Sequence, residues 1–191
     1  HRIVLDVKVG VGAFMQSLDE AKKLAKIMVG IGELAGRKTV ALLSDMNQPL
    51  GFAIGNALEV KEAINTLKGN GPADFTEHVL QVATHMLILG GAAESEDEAR
   101  KLAEAKLADG SAWNQFRRLV IAQDGDVSFI DNPDKLPSSK FEKIVTSPQV
   151  GFLSEIHARR FGELAGELGA GRAKKGDPVD HGVGIIIHRK V

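Results

Sequence analysis

The chain reads as an α/β protein: a partial mixed sheet flanked by helices, followed by a small α+β C-terminal part. Three observations predict this. The runs "RIVLDVKV" (residues 2–9) and "TVALL" (39–43) are apolar and rich in β-branched residues, as buried strands are. One helical pattern lies between them, so strand, helix and strand form a right-handed βαβ unit with a parallel strand pair. From "DGDVSFIDNP" onward the texture changes to short apolar runs, prolines and turns.

The elements follow in order. Ser17, Leu18, Asp19 and Glu20 form a capping box, in which the serine caps the helix and the glutamate reaches back. The helix runs to about Gly36, with Leu24, Ile27, Met28, Ile31 and Leu34 on one face. After "TVALL" comes "SDMNQPLGFAIGNALEV" (44–60), more polar and backbone-permissive than a simple turn requires. A helix from about Ala57 to Leu67 follows and "KGNGP" breaks it. A long helix is expected from about Ala73 to Leu89, closed by two glycines. Ser95 and Glu98 repeat the capping box for a helix to about Asp109, and Ser111 is the expected cap of "AWNQFRRLVIAQ". Beyond that, strands are expected in "FEKIVTS" (141–147), "GFLSEIHA" (151–158) and "GVGIIIHRKV" (182–191). A helix over about Arg159 to Leu168 interrupts them. The change of texture near Pro133–Ser139 divides the chain into residues 1–135 and 139–191.

Composition narrows the function classes. Of 191 residues 43% are hydrophobic, enough for a real core. The 24 basic and 25 acidic side chains leave a net charge of −1, which gives no support to a nucleic-acid or acidic-membrane partner. Without cysteine there is no disulfide, thiolate zinc site or thiol nucleophile. No apolar run approaches transmembrane length and no signal peptide is present, a pattern that fits the cytoplasm. A strand opening at residue 2, with neither leader nor cap, reads as the cut edge of something longer.

Several motifs have competing readings. "GVGAF" (10–14) sits between a strand and a helix, as a dinucleotide loop does, but lacks the third glycine; a sharp strand-to-helix turn is the simpler reading. "GAGRAKKGD" (169–177) lacks the phosphate-loop spacing, which leaves Lys174 and Lys175 on a solvated turn. His78 and His85 share a helix face without a carboxylate at metal spacing and read as structural. His157, His181 and His188 form no triad with a serine and an acid. Asp6 and Lys8 share one face of the first strand, either as an ion pair or as part of a cleft wall. In 44–60, Asp45, Glu59 and Glu62 stand near glycines and Pro49 that turn carbonyls inward. Carbonyls with a carboxylate suit a hard cation, and a hinge or capped helix entrance is the alternative.

Three blocks, "VLDVKVGVGAFM" (4–15), "SDMNQPLGFAIGNALEVKEAINTLKGNGP" (44–72) and "LGAGRAKKGDPVDHGVGI" (168–185), resemble the pyrimidine-nucleoside phosphorylase family, which includes thymidine phosphorylase. They occur in the family's order and spacing, and the resemblance covers essentially the whole chain. It implies a transferase that converts a pyrimidine nucleoside and phosphate into the free base and a pentose 1-phosphate, in a cleft between an α-helical and an α/β domain. It places Phe14 on an apolar wall near the base. It places a monovalent cation, potassium, on the backbone oxygens of Leu50 and Ala53 and the side chain of Glu62. Phe52 departs from the polar or basic residue usual there. The catalytic phosphate and base loops lie outside this chain, which is expected to hold no catalytic residue and to be inactive alone. No organic cofactor is implied, and the full-length enzyme is expected to be a homodimer. A nucleoside-monophosphate phosphorylase relative, or a non-catalytic binding module, are the alternatives; thymidine and uridine are not distinguished.

Overall fold

The computed structural model describes residues 1–191. The strand β1 (Arg2–Val9) pairs in parallel with β2 (Lys38–Asp45), Arg2 opposite Lys38 through Val9 opposite Asp45. The helix α1 (Leu18–Leu34) makes the crossover. There follow β3 (Ala53–Ile54), α2 (Asn56–Leu67), α3 (Ala73–Gly90), α4 (Glu96–Ala108), α5 (Ser111–Ala122), α6 (Ser128–Asp131), α7 (Ala158–Ala165) and β4 (Ile185–Ile186). The α/β class is as expected. Parallel and antiparallel pairings are both present, but in two separate two-stranded sheets, β1–β2 and β3–β4.

The capping box at α1 is complete: Ser17 Oγ accepts the Glu20 N–H and Glu20 Oε2 accepts the Ser17 N–H, each at 3.3 Å. At α4 the serine acts as expected, with Ser95 Oγ accepting the Glu98 N–H, but the Glu98 carboxylate turns to the Glu94 N–H at 2.9 Å. Ser111 is not a cap. Gly110 holds that position, and Ser111 is the first helical residue, its hydroxyl donating back to Asp109 Oδ1 at 2.5 Å.

Strand alternation sorts the residues of β1 between two helices. Val7 faces α1 and forms a buried cluster with Ala21 and Ala25, flanked by Leu5, Val9, Met15, Leu24 and Ala41. The expected apolar face of α1 is only half right. Ile27, Ile31 and Leu34 are exposed, while Ala21, Ala25 and Gly32 lie against the sheet. Small residues win because the helix backbone rides close to β2: a Cβ on Gly32 would run into Thr39 Oγ1 and come within 2.9 Å of Thr39 Cβ.

Asp6 and Lys8 face α3, and the ion-pair reading is the one the structure adopts. Lys8 Nζ lies 2.6 Å and His78 Nε2 2.7 Å from Asp6 Oδ2, and the Ser44 hydroxyl donates to Asp6 Oδ1 at 2.5 Å. Partial burial opposes ionisation of Asp6, but these three partners outweigh it and hold the carboxyl below the usual aspartate value.

The C-terminal part departs most from expectation. Residues 141–147 and 151–158 form no strand, and Phe141, Ile144, Val145, Val150 and Phe152 are exposed. Their β-branched composition is not sufficient, because no other strand of the chain lies beside them to complete a ladder. Residues 182–191 contract to the two residues of β4, and "DGDVSFIDNP" supplies the short helix α6. The expected helix over 159–168 is α7 followed by a π turn at Gly166–Ala170.

The Gly32 contact yields a test with an internal control. Gly32→Ala lowers stability by about 1–3 kcal/mol, since Thr39 and the helix must part. Gly30→Ala, on the same helix with nothing within 4 Å of the added carbon, raises it by about 0.4–1 kcal/mol. Urea unfolding of the two variants checks this; equal effects contradict the close approach.

Candidate functional site

In parallel α/β sheets, ligands gather at the carboxyl ends of the strands. Two loops meet there in this chain. The loop after β1 turns back on itself, the Gly10 N–H donating to the Met15 carbonyl at 3.0 Å. It is tied to the loop after β2 by the Gly12 N–H to the Met46 carbonyl at 2.9 Å and the Val11 N–H to Asn47 Oδ1 at 3.1 Å. The start of α7 braces both: the Ala158 N–H donates to the Asn47 carbonyl at 2.9 Å and Arg159 Nη2 to the Ala13 carbonyl at 3.0 Å. Phe14 stands on the first loop, 98% exposed.

The second loop is organised by Glu62. From α2 this side chain reaches back so that Oε1 accepts the N–H groups of Phe52 at 2.8 Å and Ala53 at 3.1 Å. Antiparallel pairing explains why the Ala53 N–H is free; the Phe52 N–H, just before β3, goes to the carboxylate rather than to β4. The Phe52 carbonyl accepts the Ile187 N–H at 2.8 Å, so Ala53, opposite Ile186, turns its own N–H and carbonyl away from β4. Gly51 sits at φ 69°, in the left-handed region, and a Cβ there would strike the Glu62 carboxylate. Asp45 and Glu59 serve the backbone instead. Asp45 Oδ1 accepts from the Asn47 backbone at 3.2 Å, and Glu59 Oε1 takes the Gly55 N–H at the entrance of α2 at 3.0 Å.

Leu50, Ala53 and Glu62 are brought together, lining one open cleft of about 960 Å³ with Phe75, Phe161 and His181. Phe14 does not line it. The Leu50 carbonyl and Glu62 Oε2 accept no hydrogen bond from the chain. No three acidic or histidine side chains gather at one point. A cation held here would therefore rest on carbonyls and a single carboxylate, the donor set of a hard ion of low charge.

Two residues of this region were not singled out from the sequence. Lys190 donates to the Pro49 carbonyl at 2.6 Å and pairs with Asp74, and its side chain is only 13% exposed. Asp74 Oδ2 also accepts the Gly51 N–H at 3.2 Å. Asp74 reads in sequence as an ordinary acidic residue in the first turn of a helix, and Lys190 is 116 residues away from it. No short-range pattern joins them.

The carboxyls of this site shift in opposite directions. Burial pushes Glu62 above the usual glutamate value, against the pull of its two backbone N–H partners and of Lys190. Asp74 is also partly buried, but the Lys190 ammonium and the Gly51 N–H outweigh that and hold it below the usual aspartate value.

Comparison with known proteins adds the following. Residues 1–113 match the family model described as glycosyl transferase family, a/b domain, and residues 152–191 match pyrimidine nucleoside phosphorylase C-terminal domain. Among similar proteins is a pyrimidine-nucleoside phosphorylase of Geobacillus stearothermophilus, 53% identical over 99% of this chain and 44% of its own length. The proteins of the same name from Bacillus subtilis (strain 168) and Staphylococcus aureus (strain USA300) are 50% and 46% identical over the same shares. The chain thus spans less than half the length of these relatives.

The opposed shifts have a measurable consequence. By NMR titration the Glu62 carboxyl titrates above, and Asp74 below, the usual values. Lys190→Met raises the Glu62 midpoint further, because the lysine charge favours the carboxylate. The stability contributions differ in sign. The part linked to Glu62 is present below its unfolded-state value and is lost as pH rises through the raised value. The part linked to Asp74 is present above its unfolded-state value and is lost as pH falls through the depressed one. A Glu62 midpoint at or below the usual glutamate value contradicts this arrangement.

Proposed function

We propose, from the premise that the chain belongs to the glycosyl transferase family through its a/b domain, that it is a portion of a pyrimidine-nucleoside phosphorylase. The observation that carries this reading is the similarity to enzymes of that name, which runs along 189 residues. In the reaction, a phosphate oxygen forms a bond to the anomeric carbon of the nucleoside. The bond from that carbon to the base nitrogen breaks, and its electron pair leaves with the base. Charge develops on the sugar, so orientation and electrostatic stabilisation carry the rate.

This portion contributes walls and positioning. Phe14, exposed on its loop, is an apolar surface offered to the base. Leu50 and Ala53, through their carbonyls, and Glu62, through Oε2, are the residues that would hold a monovalent cation such as potassium. The cation supplies a fixed positive charge at the edge of the cleft. The two backbone N–H bonds to Glu62 Oε1 orient the carboxylate and leave its other oxygen available. The residues present fit such an ion, since one carboxylate and neutral carbonyls balance a single charge.

Residues 1–135 serve in this reading as part of the α/β domain, and 139–191 as the C-terminal subdomain. Phosphate and a pyrimidine nucleoside are the substrates, with no organic cofactor. No helix is long and apolar enough to cross a membrane. The resemblance supports a cytoplasmic homodimer for the intact enzyme.

Two outcomes are expected. The purified 191-residue chain turns over neither thymidine nor uridine with phosphate; release of free base above background overturns its reading as an incomplete catalyst. In the intact phosphorylase, Glu62→Ala weakens activation by potassium about tenfold or more, the effect expected when a charged ligand is lost from a site of this kind. Unchanged potassium activation counts against the cation site.

A further inference from the structure

The C-terminal strand does more than close a sheet. Four contacts from its end fall on consecutive parts of the loop that carries Leu50 and Ala53. The Ile187 N–H reaches the Phe52 carbonyl at 2.8 Å, and Ile186 lies opposite Ala53. Lys190 Nζ reaches the Pro49 carbonyl at 2.6 Å, and the Val191 N–H reaches Gln48 Oε1 at 3.3 Å. The Lys190 ammonium also bonds Asp74, whose same oxygen holds the Gly51 N–H, and it stands 5.6 Å from the centre of the Phe52 ring. The residues flanking Leu50 on both sides are therefore pinned through one ammonium–carboxylate pair.

The geometry points to Lys190, acting with Asp74, as a positioning residue for the cation loop, so that the cation affinity of Leu50, Ala53 and Glu62 depends on the seating of the C-terminal strand. This rests on the cation reading above. Lys190 touches neither the cation nor the substrate in that reading. It holds the Pro49 carbonyl one residue before Leu50, and through Asp74 it holds the Gly51 amide one residue after. A loop freed at both points must be ordered by the ion itself, which lowers affinity. Asp74 neutralises the lysine, so the pair adds little net charge beside the site.

The two effects of removing Lys190 have opposite signs, and that makes the idea testable. Loss of a positive charge alone would tighten the binding of a cation; loss of positioning loosens it. In the intact phosphorylase, Lys190→Met is expected to raise the potassium concentration for half-activation about tenfold, with kcat recovering at saturating potassium. Lys190→Arg, which keeps the charge and donors, stays within about threefold of wild type, and Asp74→Asn falls between. In the 191-residue chain, amide exchange of Gly51 and Phe52 quickens in Lys190→Met while the α1 amides are unchanged. If potassium activates wild type and the Lys190→Met half-activation point is the same or lower, the positioning role is overturned and the cation site stands. If potassium leaves intact wild type unaffected while the amides of Gly51 and Phe52 still respond, the cation site is overturned, and with it this role.

Discussion

The backbone of Phe52 and Ala53 is held from two sides, and the site depends on that division. On one side β4 takes the Phe52 carbonyl. On the other, Glu62 takes the Ala53 N–H, which antiparallel alternation leaves outside the ladder, and the Phe52 N–H beside it. A two-residue ladder is weak alone. Hydrogen bonds to a charged acceptor contribute about 1.5–3 kcal/mol, so the carboxylate supplies much of what holds β3 in place. The turn at Gly51 and the mouth of the cleft lie directly beside this anchor.

Two polar arrangements show how one residue type acquires different properties. Asp6 and Asp74 each meet an ammonium and titrate low. Glu62 meets neutral amides, and its burial prevails. A carboxylate reluctant to ionise alone, with one oxygen still unoccupied, gains from a cation nearby. The Asp6 pair instead has its oxygens filled by lysine, histidine and serine and serves to seat α3 on β1. The first arrangement suits binding and the second suits structure.

Much of the framework was legible in the residues. The parallel pair, the crossover helix and the box at Ser17 follow from period and capping chemistry, which are local. Local pattern and structure part where a neighbour decides. Ile27, Ile31 and Leu34 form a plausible apolar face, yet a close helix–strand approach selected Ala21, Ala25 and Gly32. The run at 141–147 has strand composition and no strand beside it. For the site, composition offers Asp45, Glu59 and Glu62 alike, and the backbone oxygens of Leu50 and Ala53 follow only from the family resemblance. The structure occupies Asp45 with Asn47, whose Nδ2 donates to Asp45 Oδ1 at 2.5 Å, and Glu59 with the Gly55 N–H.

By itself the sequence determined the α/β class, the order of the N-terminal elements and the places where the chain must turn. Hydrophobic period, glycine and capping residues act over a few positions and can be read there. Tertiary structure alone decided that the loop at 48–53 is clamped by residues near 190. That contact requires an ammonium, a carboxylate and a carbonyl from three distant segments to converge, and no local pattern encodes a convergence of that range. It also decided which carboxylates are free to act, because availability depends on which donors reach each oxygen in the folded chain.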